Sequence, residues 1–162
     1  MVETGLQLDF DLRGDLAQLR IPPQRACSRV DGLWQHCCFE VFIRAGRGPA
    51  YLEFNFSPSG EWAAYRFDDY RKAGAPVDLT PAPEIRVQQM PDRFELRVSV
   101  SLSELLVLDG QIRFGLSAVI EAANGSLSYW ALKHPAEEPD FHHPDSFTLS
   151  LNADSADSAG IT

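Results

Sequence analysis

Apolar and polar residues alternate with a period of two along most of this chain, the pattern of strands that bury one face. In LQLDFDL, Leu6, Leu8, Phe10 and Leu12 fall on one side. Phe39, Val41 and Ile43 do so in CFEVFI, and Leu52, Phe54 and Phe56 in YLEFNF. RFELRVSV groups Phe94, Leu96, Val98 and Val100, and QIRFGLSAVIE groups Ile112, Phe114, Leu116, Ala118 and Ile120. LSYWAL, SFTLSL, EIRVQQM and residues 15–20 are further strand candidates. Only SLSELL at 101–106 suggests a helical turn, with Ser101 as cap and Glu104 three residues on. About nine or ten short strands with at most one or two helical turns predict an all-β, antiparallel β-sandwich or a closed barrel.

The chain has 162 residues, of which 44% are apolar and 23% charged. That suits one globular domain, taken as residues 1–151, followed by a polar tail at 152–162 expected to be disordered. The net charge of −9 repels phosphate backbones and anionic lipid, so nucleic acid and membrane surfaces are poor partners. The N-terminal residues carry no basic, apolar leader, and no run of apolar residues is long enough to span a bilayer. Cys27, Cys37 and Cys38 are odd in number, two of them adjacent, with no C-x-x-C. Reduced thiols in a cytoplasmic protein are the natural reading. Residues 68–83 form a long loop rich in Pro, Ala and Gly, a place where function often sits.

The loop AGRGPA joins two strands. Pairing Arg44 with Tyr51 sets Phe42 opposite Glu53 and Glu40 opposite Asn55. Six side chains then share the face opposite the Phe39/Val41/Ile43 and Leu52/Phe54/Phe56 set. The next turn, Ser57-Pro58-Ser59-Gly60, has two solutions. A four-residue turn aligns Asn55 with Trp62, whereas a type I turn with a glycine bulge shifts the pairing by one and sends Trp62 inward. Ala63, Tyr65 and Phe67 make the better core set, which favours Trp62 outward beside the acids. An indole next to carboxylates and amides suits a sugar, whose C–H face stacks on the ring while its hydroxyls meet the polar groups. The plainer alternative is a Trp half buried beneath a loop.

Other chemistry is weakly signalled. His36, His134, His142 and His143 match no zinc spacing and read as surface residues. Asp68-Asp69 and Glu137-Glu138 offer oxygen ligands for Ca²⁺ without an EF-hand pattern. Met90 is the one methionine besides Met1, and no C-x-x-C-H is present, so haem has no motif either. Cys37 and Cys38 read as small buried residues rather than nucleophiles. Glu40 and Glu53 on neighbouring strands permit a glycosidase-type hydrolase as an alternative function.

Three stretches, LWQHCCFEVFI, YLEFNFSPSGEWAAYRFDDYR and SYWALKHPAEEPDFHHPDSFTLSL, together resemble the DOMON-like superfamily. The likeness is to its stand-alone bacterial branch related to family 9 carbohydrate-binding modules, a domain also fused to some UDP-N-acetylenolpyruvoylglucosamine reductases. It spans roughly residues 5–151. The resemblance implies a jelly-roll-like β-sandwich and a non-catalytic module binding a small polar ligand, a saccharide or sugar-like metabolite. Superfamily members bind sugars through aromatic side chains, or haem through axial Met, His or Lys. Carried onto this chain, Trp34, Trp62 and Trp130 become aromatic platforms, and Glu40, Glu53, Asn55, Arg66 and Lys133 polar partners. This chain departs from the secreted carbohydrate modules in lacking a signal, and it shows no haem-ligand pattern. A partner protein docking on the aromatic face is the remaining alternative.

Overall fold

A computed structural model describes residues 5–103 and 111–152. The strands are β1 (Gly5–Arg13), β2 (Cys38–Ala45), β3 (Tyr51–Phe56), β4 (Trp62–Asp69), β5 (Lys72–Ala73), β6 (Glu84–Gln89), β7 (Arg93–Ser101), β8 (Gln111–Glu121), β9 (Leu127–Ala131) and β10 (Leu149–Asn152). They form two antiparallel sheets, so the protein is an all-β sandwich. The smaller sheet runs β1-β7-β6 and the larger β10-β8-β2-β3-β4-β5. β9 pairs with the second half of β8, through Ser117–Glu121, and β10 with the first, through Gln111–Phe114.

The alternation read from the sequence sets the layers. Leu6, Leu8, Phe10 and Leu12 of β1 pack with Phe94, Leu96, Val98 and Val100 of β7 against Phe39, Val41, Ile43, Leu52, Phe54 and Phe56. Phe39 bridges the sheets, with its ring centroid 5.1 Å from Phe10 and 6.0 Å from Phe94. Each fully buried phenylalanine contributes roughly 1.5–3 kcal/mol through lost contact with water. The outer face of the smaller sheet carries ion pairs such as Arg93–Asp11 and Arg97–Asp9, exposed enough that each adds little.

Local structure corrects two expectations. Residues 15–20 are no strand: Asp15 accepts the backbone N–H of Ala17 and caps a short 3₁₀ helix, Leu16–Gln18. Two more 3₁₀ helices, Leu33–Gln35 and Pro144–Ser146, flank the larger sheet. Asn152 is not part of a tail but closes β10, opposite Gln111. The helical turn expected at 101–106 and the remaining tail residues fall largely outside the described residues. Among the described residues no helix is long and apolar enough to cross a membrane.

The turn before β4 takes the bulged solution. Gly60 adopts φ +89° and its N–H reaches the Ser57 carbonyl at 3.0 Å. The Ser57 N–H then meets the Glu61 carbonyl at 2.9 Å, so Phe56 pairs with Trp62 rather than Asn55 with Trp62. The extra residue reverses which side chains of β4 face the sandwich interior. Trp62 is 3% exposed and joins the core, so its expected outward position is wrong. Residues 28–30 clamp it there: Trp62 N–H donates to Ser28 O, and Val30 N–H to Trp62 O.

Candidate functional site

The register that turns Trp62 inward turns Ala63, Tyr65 and Phe67 to the other face of the larger sheet, beside Asn55, Glu53 and Tyr51. Glu40 and Phe42 complete the row, as predicted: Glu40 lies opposite Asn55, and Phe42 opposite Glu53. On the far side of β2, Glu40 meets Ser117 of β8. This face is not open to solvent. The six residues of β3 are all buried, because both of its faces are covered.

Two segments do the covering. Val30 and Leu33 pack onto Cys38, Ala63 and Val119. Phe141 and Phe147 pack onto Phe42, Tyr51 and Phe67. Gly115 permits the second cover, since a Cβ there would stand 3.1 Å from the Ser146 carbonyl oxygen. Between the covers lies a cavity of about 630 Å³. Glu40, Phe42 and Glu53 are its buried floor. Tyr65, Phe67, Phe141 and His142 form its walls, and Trp34, Tyr129, Asp31 and Arg71 surround the mouth.

The floor carboxyls are electrostatically unusual. Burial, reinforced by the charge of Glu53, pushes the Glu40 carboxyl up to about 8. Ser117 Oγ donates to Glu40 Oε2 at 3.1 Å and offsets only part of this. Burial likewise raises Glu53 to about 7, although Asn55 Nδ2 donates to its Oε1 at 2.9 Å. At neutral pH the pair therefore retains protons that exposed glutamates would have lost. Neither acid has a lysine or arginine hydrogen-bonded to it among the described residues.

His142 is held neutral. Burial, with the nearby Arg71 charge, lowers its imidazole to about 4. The backbone N–H of Arg71 donates to the Tyr51 hydroxyl at 3.2 Å, which leaves that hydroxyl free to donate to His142 Nδ1 at 2.8 Å. In the tautomer with its proton on Nε2, Nδ1 accepts from Tyr51 and Nε2 stands 3.6 Å from Glu53 Oε2. The contact is one of a neutral ring with a carboxyl, not an ion pair. Arg71, in the left-handed region at φ +53°, turns its guanidinium to Asp140, 2.8 Å away. Tyr70 donates to the same carboxylate. Tyr65 donates to Asp31 at 2.9 Å, and burial together with Asp31 pushes its phenol up to about 12.

The site residues proposed from the sequence divide. Trp34, Glu40 and Glu53 line the cavity. Asn55 is fully buried beneath it and acts through Glu53. Trp62 is in the core. Arg66 pairs with Leu52, which places it on the sandwich side of the sheet, away from the cavity. Trp130 pairs with Ala118, also on that side, and its Nε1 donates to Ser128. It is the preceding residue, Tyr129, opposite Val119, that reaches the cavity. Lys133 is exposed and does not line it.

Sequence reasoning missed His142, Tyr65, Phe67, Phe141, Tyr129 and Arg71. His142 reads as a surface residue in the sequence, yet its ring lies within about 5 Å of Phe42 and Phe67. The aromatic Phe141 just before it was the available signal. His36 does not line the cavity and contacts Glu121 at 2.7 Å. Among the described residues no three His, Cys, Asp or Glu side chains converge to hold a metal ion. Cys38 lies buried near both acids, with its thiol pushed well up, and is no nucleophile.

A solved structure similar to this chain shares its fold. It is a "putative carbohydrate-binding protein" from Bacteroides uniformis ATCC 8492, matched at a TM-score of 0.68 and 14% identity over 93% of this chain and 73% of that one. At that identity the likeness shows the fold alone. No family model and no curated protein sequence matches the chain.

Proposed function

We propose that this protein is a non-catalytic binding module for a small polar ligand of the saccharide class, and that it belongs among the DOMON-like domains it resembles. The observation that carries the reading is the cavity itself. Its volume of about 630 Å³ suits a mono- or disaccharide, with aromatic rings on the walls and hydrogen-bonding acids on the floor. Rings such as Tyr65, Tyr129 and Trp34 offer faces to sugar C–H groups, while Glu40 and Glu53 meet hydroxyls. The name of the structural neighbour agrees with this reading.

The proposed site keeps Trp34, Glu40 and Glu53 of the residues that the sequence suggests, and does without Trp62, Arg66, Trp130 and Lys133, which do not line the cavity. Titration with a panel of mono- and disaccharides, followed by calorimetry and tryptophan fluorescence, tests the function. Binding that weakens in Trp34→Ala supports it, and silence across the panel removes it. A hydrolytic reading rests on Glu40, a carboxyl still protonated near neutrality and so able to act as an acid. It requires turnover of a glycoside that vanishes in Glu40→Gln.

A further inference from the structure

The acids on the cavity floor narrow the ligand beyond the saccharide class, a restriction that rests on the saccharide reading above. Glu40 is 3% and Glu53 6% exposed. Their side-chain partners are uncharged: Ser117 for Glu40, Asn55 and the neutral His142 for Glu53. The one guanidinium lining the cavity among the described residues, that of Arg71, is occupied by Asp140 and lies 5.8 Å from the Tyr70 ring centroid. The Arg71 charge acts on Glu53 only from a distance, and burying two acids without a hydrogen-bonded cation is costly, whereas neutral hydroxyls could be met by amides at far lower cost. Phe42, Tyr65, Phe67 and Phe141 line the same cavity, and an aromatic ring attracts a cation that meets its face. The overall charge of −9 acts in the same direction and disfavours anionic ligands. A metal is a poor substitute, since no third ligating side chain joins the pair among the described residues.

We propose that the cavity selects a sugar bearing a protonated amine, an amino sugar over a neutral or N-acylated one, with the ammonium seated between the carboxyl groups of Glu40 and Glu53. The ammonium stabilises both carboxylates, so binding expels the protons they retain. No covalent step is involved.

Calorimetry near pH 7 with glucosamine, glucose, N-acetylglucosamine and the non-sugar amine ethanolamine tests this. Glucosamine is expected to bind at least about ten-fold tighter than glucose or N-acetylglucosamine. Its apparent enthalpy should change between buffers of different ionisation heat in the sense of proton release. Glu40→Gln/Glu53→Gln keeps the shape of the floor and should abolish the preference while the thermal transition is retained. Equal affinity for glucose and glucosamine overturns the ammonium site and leaves the saccharide reading standing. Ethanolamine binding as tightly as glucosamine supports the ammonium site and removes the saccharide reading. Failure of all four probes to bind overturns the ammonium site.

Discussion

Glu40 faces Asn55 directly across the β2–β3 ladder, and the enclosed side-chain oxygen of Asn55 meets no donor among the described residues. A carboxylic acid at Glu40 can donate a hydrogen bond, whereas a carboxylate cannot. The protonated state favoured by burial is thus also the one suited to its neighbour. Glu40→Gln keeps a donor in place, so it should fold with equal or higher stability above pH 8. Glu40→Ala should lose about 1–3 kcal/mol by denaturant titration, because it opens a gap beneath the cavity and leaves the Ser117 hydroxyl without its acceptor.

The stability profile follows from the same two acids. Both have folded-state values, about 8 and about 7, above the ordinary value of 4.5, so the native state binds more protons than the unfolded one between those limits. Their contribution is full below about 4.5 and is lost as pH rises through 7 and 8. His142 acts in the opposite sense: its value, lowered from 6.5 to about 4, gives stability above 6.5 that is lost as pH falls toward 4. Above 6.5 the unfolded imidazole loses its last bound proton and adds only a small opposing gain, so the acids dominate. Unfolding free energy should therefore fall by about 2 kcal/mol between pH 6.5 and 8, at up to 1.36 kcal/mol per pH unit and group. Thermal or urea titrations at the two pH values measure it, and Glu40→Gln should flatten the slope.

Trp62 and Trp34 should separate stability from binding. Trp62→Ala removes a buried core ring and should cost about 3–5 kcal/mol. Trp62→Phe should cost less, since the buried indole N–H has no acceptor to lose among the described residues. Trp34 is 52% exposed, and Trp34→Ala should leave the melting transition nearly unchanged while weakening ligand binding. Paired melting and titration measurements decide; a binding loss confined to the Trp62 variants would reverse the assignment.

The Tyr51 hydroxyl supplies the donor to His142 Nδ1 that favours the neutral ring. Tyr51→Phe should raise the imidazole titration midpoint from about 4, while burial keeps it below 6.5. An NMR pH titration of the His142 ring resonances reports this directly. An unchanged midpoint would mean that burial alone holds the ring neutral.

Gly60 decides the register of β4, because its φ of +89° is strained for any residue with a Cβ. Gly60→Ala should cost about 1–2 kcal/mol by chemical denaturation. Steric crowding is not the cause, since the nearest atom to an added Cβ is 3.5 Å away.

The sheets and the β2–β3 register are legible in the sequence because alternation over Phe39–Ile43 and Leu52–Phe56 admits a single buried face. Glu40 and Glu53 follow from that register. The pattern misplaces Trp62 because it treats the face opposite the sandwich as solvated. Once loops cover that face, Tyr65 and Phe67 find shelter there too, and the preference for an inward Ala63/Tyr65/Phe67 set disappears. Trp130 and Tyr129 exchange roles through the pairing of β9 with β8, a long-range register that local alternation does not specify. His142 and Phe141 reach the site from a segment without periodic pattern, docked on the sheet by contacts far apart in the chain.

The two layers of that cavity answer to different constraints. Its floor, with Tyr65 and Phe67 of β4, belongs to the strands, where any change disturbs the sandwich, but Phe141 and His142 come from a connecting segment that the sheets only anchor. Such a scaffold can exchange its wall-forming segments, and with them its cargo, while the frame stays the same. Proteins alike in fold at 14% identity can thus share a frame without sharing a cargo.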